Sequence, residues 1–247
     1  MAGHSKWKNI RLRKGKQDAI RGKLFTKLSR EIIVAARMGG GDPSGNPRLR
    51  LAISKAREAA MPSDNVERAI KRGTGETEGA AYEEVTYEGY GPGGAALIVE
   101  CYTENRNRTV ADLRHAFSKN GGNLAENGSV AWRFKYIGEI IVPPDGLDEE
   151  EFTLAAIDAG AEDVVRDDDG FNVYTSIETL HSTNEALETA GYKPTEVGLT
   201  YLPADKAELS DSDARRLLNL MEMLEDLDDV KETYVNVEIT DDMMDDA

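Results

Sequence analysis

Residues 73–104 read GTGETEGAAYEEVTYEGYGPGGAALIVECYTE, and the hydrophobic periodicity changes within them from that of helices to that of strands. The segment 73–81 has the Gly, Thr and Glu composition of a linker. YEEVTYEGY then predicts a strand, GPGG a turn and AALIVECYTE a buried strand. The switch therefore separates a helical part of the chain from a part that contains sheets.

Before the switch, apolar residues recur at helical spacing in three segments. Pro47 after Asn46 is the arrangement that a first helical turn favours, with Asn46 as the N-cap. The predicted helices run from Asp18 to Gly39, from Pro47 to Met61, and from a Ser63 cap to Gly73, where glycine stops the third helix. Residues 1–73 are therefore predicted to form a helical domain.

After the switch, residues 82–136 give strand, strand, helix and strand, the last being SVAWRFKYI. Residues 138–203 give the order βαββαβ of a ferredoxin-like fold. A long helix with Ser210 or Ser212 as its cap follows, and the strand KETYVNVEI comes after it. Since residues 82–136 lack a closing helix and strand, we expect the end of the chain to supply them.

The predicted class is α+β and multidomain: a basic three-helix domain, then two α/β ferredoxin-like domains, one inserted in the other. The predicted domains are residues 1–73, residues 82–136 plus 205–240, and the inserted residues 137–204.

The charge is divided unevenly along the 247 residues. Residues 1–72 hold 18 Lys and Arg against 6 Asp and Glu, a net of +12, whereas the rest holds 12 against 40, a net of −28. Such asymmetry predicts a polyanionic partner for the basic part, while the acidic part repels nucleic acid. The alternative is a solvated helical surface without a partner.

Nine of the first 27 residues are basic and one is acidic, and Trp7 lies among them. Lys and Arg neutralise phosphates, and Trp7 either stacks on a base or packs on the first helix. The expected nucleic-acid contacts are Lys6, Trp7, Lys8, Arg11, Arg13, Lys14, Lys16, Arg21, Lys23, Lys27, Arg48, Arg50 and Arg57.

The segment ENRNRT (104–109) lies between a buried strand and a helix, where free backbone N–H groups favour anions. A possible phosphate or RNA contact is therefore assigned to Asn105, Arg106, Asn107, Arg108 and Thr109. The alternative is that Asn105 or Asn107 caps the helix and both arginines are ordinary surface residues.

The sequence gives little support for metal binding, a cofactor or catalysis. The three histidines lie in unrelated segments and Cys101 is the single cysteine, so we predict no metal site, no cofactor and no catalytic constellation. No apolar run has the length of a membrane span, and the single cysteine fits a reducing compartment. The cytoplasm is the expected location.

Several segments, among them AGHSKWKNI, KLFTKLSREI, YEGYGPGGAALIVE, TENRNRT and GSVAWRF, closely resemble the YebC/PmpR family of bacterial proteins. A mitochondrial relative of that family is a translational activator of a cytochrome oxidase subunit. This chain departs from the family at Glu104, usually Asp, and at residues 125–127.

The resemblance implies three domains and a non-enzymatic regulator of the DNA-binding transcriptional type. It also implies an alternative, a ribosome-associated translation factor that binds ribosomal or transfer RNA and assists synthesis at proline-rich stretches. We therefore expect a nucleic-acid-binding regulator of gene expression with no membrane association.

Overall fold

The structure, a computed structural model, describes residues 17–79, 81–167, 170–239 and 243, and the side chains of residues 17–21 lie outside this description. Its helices are α1 (Gln17–Gly39), α2 (Pro47–Glu58), α3 (Ser63–Thr74), α4 (Arg106–Lys119), α5 (Glu149–Asp158), α6 (Leu180–Thr189) and α7 (Asp211–Glu225). Its strands are β1 (Glu83–Tyr90), β2 (Ala96–Thr103), β3 (Asn123–Leu124), β4 (Phe134–Val142), β5 (Asp163–Arg166), β6 (Phe171–Thr175), β7 (Glu196–Pro203) and β8 (Val230–Val235). None of the described helices has the length and apolar character needed to cross a bilayer.

Helices α1, α2 and α3 pack around one apolar cluster that includes Ile32, Leu49 and Val66. Asn46 caps α2 as predicted, because its side-chain oxygen accepts a hydrogen bond from the Leu49 backbone N–H at 3.1 Å. Its amide group also donates to the Ala35 carbonyl at 2.8 Å, so one side chain joins α1 to the start of α2.

The predicted role of Ser63 and the predicted end of α3 at Gly73 are both wrong. Pro62 occupies the cap position without a side-chain hydrogen bond, and the helix continues to Thr74. Gly75, with φ of 82°, ends it in the left-handed conformation that glycine adopts readily. Gly73 instead permits close packing, since a Cβ there would lie 2.5 Å from the Ile33 carbonyl oxygen of α1.

The first sheet has the strand order β3-β1-β2-β8, with neighbouring strands antiparallel. Strand β8 comes from the far end of the chain and pairs with β2, so the end of the chain completes the sheet. Helices α4 and α7 cover one face, where Leu97, Phe117 and Leu217 are buried in one apolar cluster. Ser210 caps α7, the first of its two predicted caps.

The prediction that SVAWRFKYI adds a strand to the first sheet is wrong. The first sheet receives the short strand β3, whereas β4 runs unbroken from Phe134 into the second sheet. The side chain of Glu88 accepts hydrogen bonds from the backbone N–H groups of Gly128, Val130 and Ala131 at 2.6–2.8 Å. Those amides are therefore bound by a carboxylate and are not available to a strand partner.

The second sheet has the order β5-β6-β4-β7, all antiparallel, which is the arrangement that a βαββαβ sequence produces. Helices α5 and α6 bury Phe152 and Leu187 against Ile140, Phe171 and Val173 of this sheet. The βαββαβ reading of residues 138–203 therefore agrees with the structure in element order, apart from the longer β4.

The α+β class with an N-terminal helical domain is confirmed. Contacts divide the chain into two compact units, one being residues 132–206 and the other holding the helical region with the first sheet. Because that division leaves the helices and the first sheet together, the three domain boundaries given above stay a prediction.

Candidate nucleic-acid interface

Eight of the predicted contact residues cannot be placed. Lys6, Trp7, Lys8, Arg11, Arg13, Lys14 and Lys16 lie outside the described residues, and Arg21 is described only as part of the α1 backbone. Their role in binding, and the choice between stacking and packing for Trp7, stay predictions. The remaining candidates lie on α1, on α2 and at the start of α4.

Two lysines of α1 lie one helical turn apart. The Lys23 ammonium forms an ion pair with Asp226 at 2.9 Å, and both side chains are more than two-fifths exposed. Such a surface pair contributes about 1 kcal/mol or less and weakens with salt. Lys27 is half-buried.

Arg48 of α2 points toward the first sheet. Its guanidinium donates to the Glu84 carboxylate at 3.1 Å and to the Tyr102 hydroxyl oxygen at 2.9 Å. Burial alone would lower the pKa of Arg48, but the nearby Tyr102 and Glu84 outweigh burial and raise it. Arg48 is therefore charged and already paired within the chain.

The polar network around Arg48 continues across the sheet. The Lys231 ammonium lies 2.9 Å from the Glu100 carboxylate, which also accepts a hydrogen bond from the Tyr234 hydroxyl at 3.2 Å. Burial raises the pKa of Tyr102 to about 12, so its hydroxyl keeps its proton near neutrality. This network links α2 to three strands through side chains that are hydrogen-bonded or ion-paired to one another.

A second polar cluster forms around Asp229, which is 6% exposed. Its carboxylate accepts hydrogen bonds from Arg30 at 2.5 Å, from Thr109 at 2.7 Å and from Arg108 at 2.9 Å. Burial acts to raise the pKa of Asp229, but Thr109, Arg108 and Arg30 together lower it. The ionised carboxylate joins α1, α4 and the start of β8.

The ENRNRT segment provides several of these contacts. Asn105 caps α4 by accepting from the Arg108 backbone N–H at 3.1 Å, so the capping alternative is correct for Asn105. Arg106 makes a two-point pair with Glu83 at 2.7 and 2.6 Å. Thr109 is buried against Asp229, whereas Asn107 is exposed. An external anion would compete with these carboxylates, and the anion contact stays a prediction.

Arg72 of α3 is a further arginine turned toward the sheet. Its guanidinium donates to Glu104 at 3.3 Å and lies 4.9 Å from the centre of the Tyr82 ring. Arg30 stacks on the same ring at 5.1 Å. We call Arg30, Arg48 and Arg72 the docking face, because each contributes its charge to contacts between the helices and the residues of the first sheet.

Helices α2 and α3 also carry a second set of basic residues. Arg50 and Arg57 lie two turns apart on α2 and are exposed, as are Arg68 and Lys71 on α3. Among the described side chains, no carboxylate lies within ion-pairing distance of these four. Arg50 donates to the Pro43 carbonyl at 3.4 Å. We call Arg50, Arg57, Arg68 and Lys71 the outer face.

Sequence reasoning did not predict Arg30, Asp229 or Glu100 as polar centres. Arg30 lies 199 residues from Asp229, so no local spacing could have paired them. The one available signal was the charge on Glu100 within the buried strand ALIVECYT, since a buried carboxylate requires a partner. Lys231 is that partner, and its position could not be derived from the sequence.

Within the described ranges, no group of three or more His, Cys, Asp and Glu side chains could hold a metal ion. Burial raises the pKa of the Cys101 thiol to about 12, so it lacks the thiolate character of a reactive cysteine.

Comparison with known proteins finds relatives over nearly the whole chain. Residues 5–76 match the TACO1/YebC protein N-terminal domain, and residues 82–237 match the TACO1/YebC second and third domain. A probable transcriptional regulatory protein of Thiobacillus denitrificans is 54% identical over 244 residues, which cover 98% of this chain and 100% of the relative.

A protein of the same name from Neisseria gonorrhoeae is 55% identical over 237 residues, 96% of this chain and 98% of the relative. Among solved structures, a conserved hypothetical protein from Aquifex aeolicus matches with a TM-score of 0.84 and 47% identity. That match covers 92% of this chain and 93% of the other.

Proposed function

Because this chain belongs to the TACO1/YebC family, whose relatives compared above are named probable transcriptional regulatory proteins, we propose that it is a nucleic-acid-binding regulator of gene expression. The helical region supplies the electrostatic contact. The observation that carries the proposal is the outer face, whose four cations are exposed and have no carboxylate partner among the described residues. DNA is the target class that the names of the relatives favour.

The physical basis is release of counterions. Each phosphate that a Lys or Arg neutralises frees a condensed cation, so the affinity falls steeply with salt. A contact of this kind positions the protein and reads no sequence. The acidic rest of the chain repels nucleic acid and so favours an approach from the basic side. A regulator without catalytic activity, acting in the cytoplasm, is part of the same proposal.

The first experiment measures the salt dependence of binding to a labelled DNA duplex. The variant Arg50→Ala/Arg57→Ala should flatten the slope of log Kd against log salt by about 2, since each lost phosphate contact changes it by about 0.9. The matched control, Arg166→Ala/Lys193→Ala, removes two positive charges from residues 132–206 and should leave the slope nearly unchanged. Equal slopes for the parent and the first variant would contradict the proposal.

A second experiment separates DNA from RNA as the target. Crosslinking in cells, followed by recovery and sequencing of the bound nucleic acid, should enrich promoter DNA for a transcriptional regulator. Recovery of ribosomal or transfer RNA would instead support the translation factor that assists synthesis at proline-rich stretches. Both results keep the outer face as the contact, so they decide the target independently of the salt experiment.

A further inference from the structure

Aromatic side chains are exposed at one end of the second sheet, within residues 132–206. Trp132 is 73% exposed and Tyr136 is 42% exposed. The rings of Tyr136 and Tyr201 lie 4.6 Å apart at 35°, and Phe134 meets Tyr201 edge-on at 6.5 Å. We call Trp132, Tyr136 and Tyr201 the aromatic edge. The ring contacts join Tyr136 to Tyr201, and Trp132 lies four residues before Tyr136 in the same chain segment. Exposed apolar patches mark interaction surfaces.

The strand pattern explains why these rings are exposed. Tyr136 pairs with Tyr201 in the β4–β7 register and lies on the same face of β4 as Ile140, because side chains alternate along a strand. Ile140 is fully buried beneath α5 and α6, whereas Tyr136 is not. The cover of the helices therefore ends between these two residues and leaves Tyr136 partly exposed to solvent.

The local charge differs from that of the surrounding unit. Residues 132–206 contain 17 Asp and Glu and only five Lys and Arg. Two of those five, Arg133 and Lys206, lie in the chain segments that frame the aromatic edge, whereas Lys135 lies on the opposite face of β4 from Tyr136. The Arg133 guanidinium lies 5.8 Å from the centre of the Trp132 ring and pairs with Asp205. Lys135 and Lys206 are exposed.

We infer that the aromatic edge binds the unpaired bases of a single-stranded nucleic acid by stacking. Every base offers a π-face, so stacking tolerates any sequence, and nearby Lys and Arg attract the backbone. A duplex keeps its bases stacked inside and cannot use this surface. The inference rests on the proposed function, to which it adds a second kind of contact: phosphates at the outer face and bases at the aromatic edge.

Tryptophan fluorescence gives a direct test in the full chain. The protein has two tryptophans, so the variant Trp7→Phe leaves Trp132 as the only reporter. Titration with a 12-nucleotide oligo(dT) should quench its emission, with a midpoint that matches binding followed by anisotropy of the labelled oligonucleotide. A 12-base-pair duplex should raise anisotropy with little quenching.

Substitution of Trp132 measures how much its ring contributes to the affinity for oligo(dT). Trp132→Ala should weaken oligo(dT) binding about tenfold, leave duplex binding unchanged and keep the salt slope, because stacking releases no counterions. Trp132→Phe should retain most of the affinity. Leu154→Ala, which truncates an exposed apolar side chain on α5, is the matched control and should change neither.

The outcomes are distinct. Binding of oligo(dT) without quenching of Trp132 overturns the aromatic edge and leaves the proposed function standing. Absence of binding of the parent protein to oligo(dT) and to duplex, followed by anisotropy, overturns the proposed function itself. A change in sedimentation mass for Trp132→Ala, without a change in oligo(dT) affinity, would assign the surface to a second copy of the chain and overturn the inference. The quenching measurement keeps Trp132 intact, so it holds even where Trp132→Ala fails to fold.

Discussion

The docking face and the outer face of the helical region carry the same residue types and behave differently. Arg30, Arg48 and Arg72 bind carboxylates, and two of them also stack on Tyr82. Arg50, Arg57, Arg68 and Lys71 are exposed instead. Arg48 and Arg50 are two residues apart, yet about 200° of helical rotation separates their directions. A net charge of +12 therefore overstates the charge that a partner can use.

The difference also separates two contributions of arginine. On the docking face, each guanidinium is partly desolvated and donates to a carboxylate. On the outer face, the charge remains hydrated and contributes to long-range attraction, which salt screens. We expect docking-face substitutions to change stability and outer-face substitutions to change the affinity for polyanions.

The largest expected effect comes from removing the carboxylate that binds Arg30 of the docking face together with Arg108 and Thr109. Asp229→Ala leaves Arg30, Arg108 and Thr109 without their shared carboxylate, and breaking such a pair costs about 3 kcal/mol or more. Urea denaturation followed by circular dichroism measures the free energy of unfolding. Asp226→Ala is the control, because the exposed pair with Lys23 should contribute about 1 kcal/mol or less. Equal losses for the two variants would contradict the role of Asp229.

Acid should weaken the docking face while leaving the charge of the outer face intact. The pKa of Asp229 is lowered below its ordinary value of 3.8, so the ionised form is favoured in the folded protein. Its contribution is fully present above the unfolded pKa and is lost as the pH falls through the folded pKa. Between pH 5 and pH 3, unfolding free energies should therefore fall more for the parent than for Asp229→Asn. Parallel curves would refute this linkage.

A substitution in the core of the helical region should lower the stability by a smaller amount. Gly73→Ala places a Cβ 2.5 Å from the Ile33 carbonyl oxygen and 2.7 Å from the Ala36 Cβ, so α1 and α3 must move apart. Overpacking costs about 1–3 kcal/mol, and the better helix propensity of Ala offsets about 1 kcal/mol of it. A net loss of about 1 kcal/mol should appear in thermal unfolding. Gly45→Ala, with open space around the new Cβ, is the control, and a stabilised Gly73→Ala would contradict the close approach.

Features of the fold that depend on neighbouring residues could be predicted from the sequence. The caps Asn46 and Ser210 follow from side chains three residues from the amides they bind. The strand order of residues 134–203 follows from the order of its elements. Gly73 was misread because a glycine that ends a helix and a glycine that admits a neighbouring helix look alike in a sequence.

The sequence predicts which residue types form the candidate site, but not which of their side chains point toward the sheet and which toward solvent. Charge counts identified the helical region as basic, and Arg50 and Arg57 are among the contacts expected from the sequence. Spacing could not show that Arg48 meets Glu84 or that Arg108 meets Asp229, since those partners lie 36 and 121 residues away. Such pairs depend on how the helices meet the sheet, which only the folded structure specifies.

The smallest expected effect is also the most direct comparison of the two faces. Arg50→Ala removes an exposed cation, whereas Arg48→Ala removes one that Glu84 and Tyr102 already hold. Arg50→Ala should weaken duplex binding a few-fold and flatten the slope of log Kd against log salt by about 1. Arg48→Ala should leave that slope unchanged and lower the unfolding free energy instead. If Arg48→Ala flattened the salt slope as much as Arg50→Ala, nucleic acid would have to displace Glu84 from Arg48, and the docking face would itself be part of the interface.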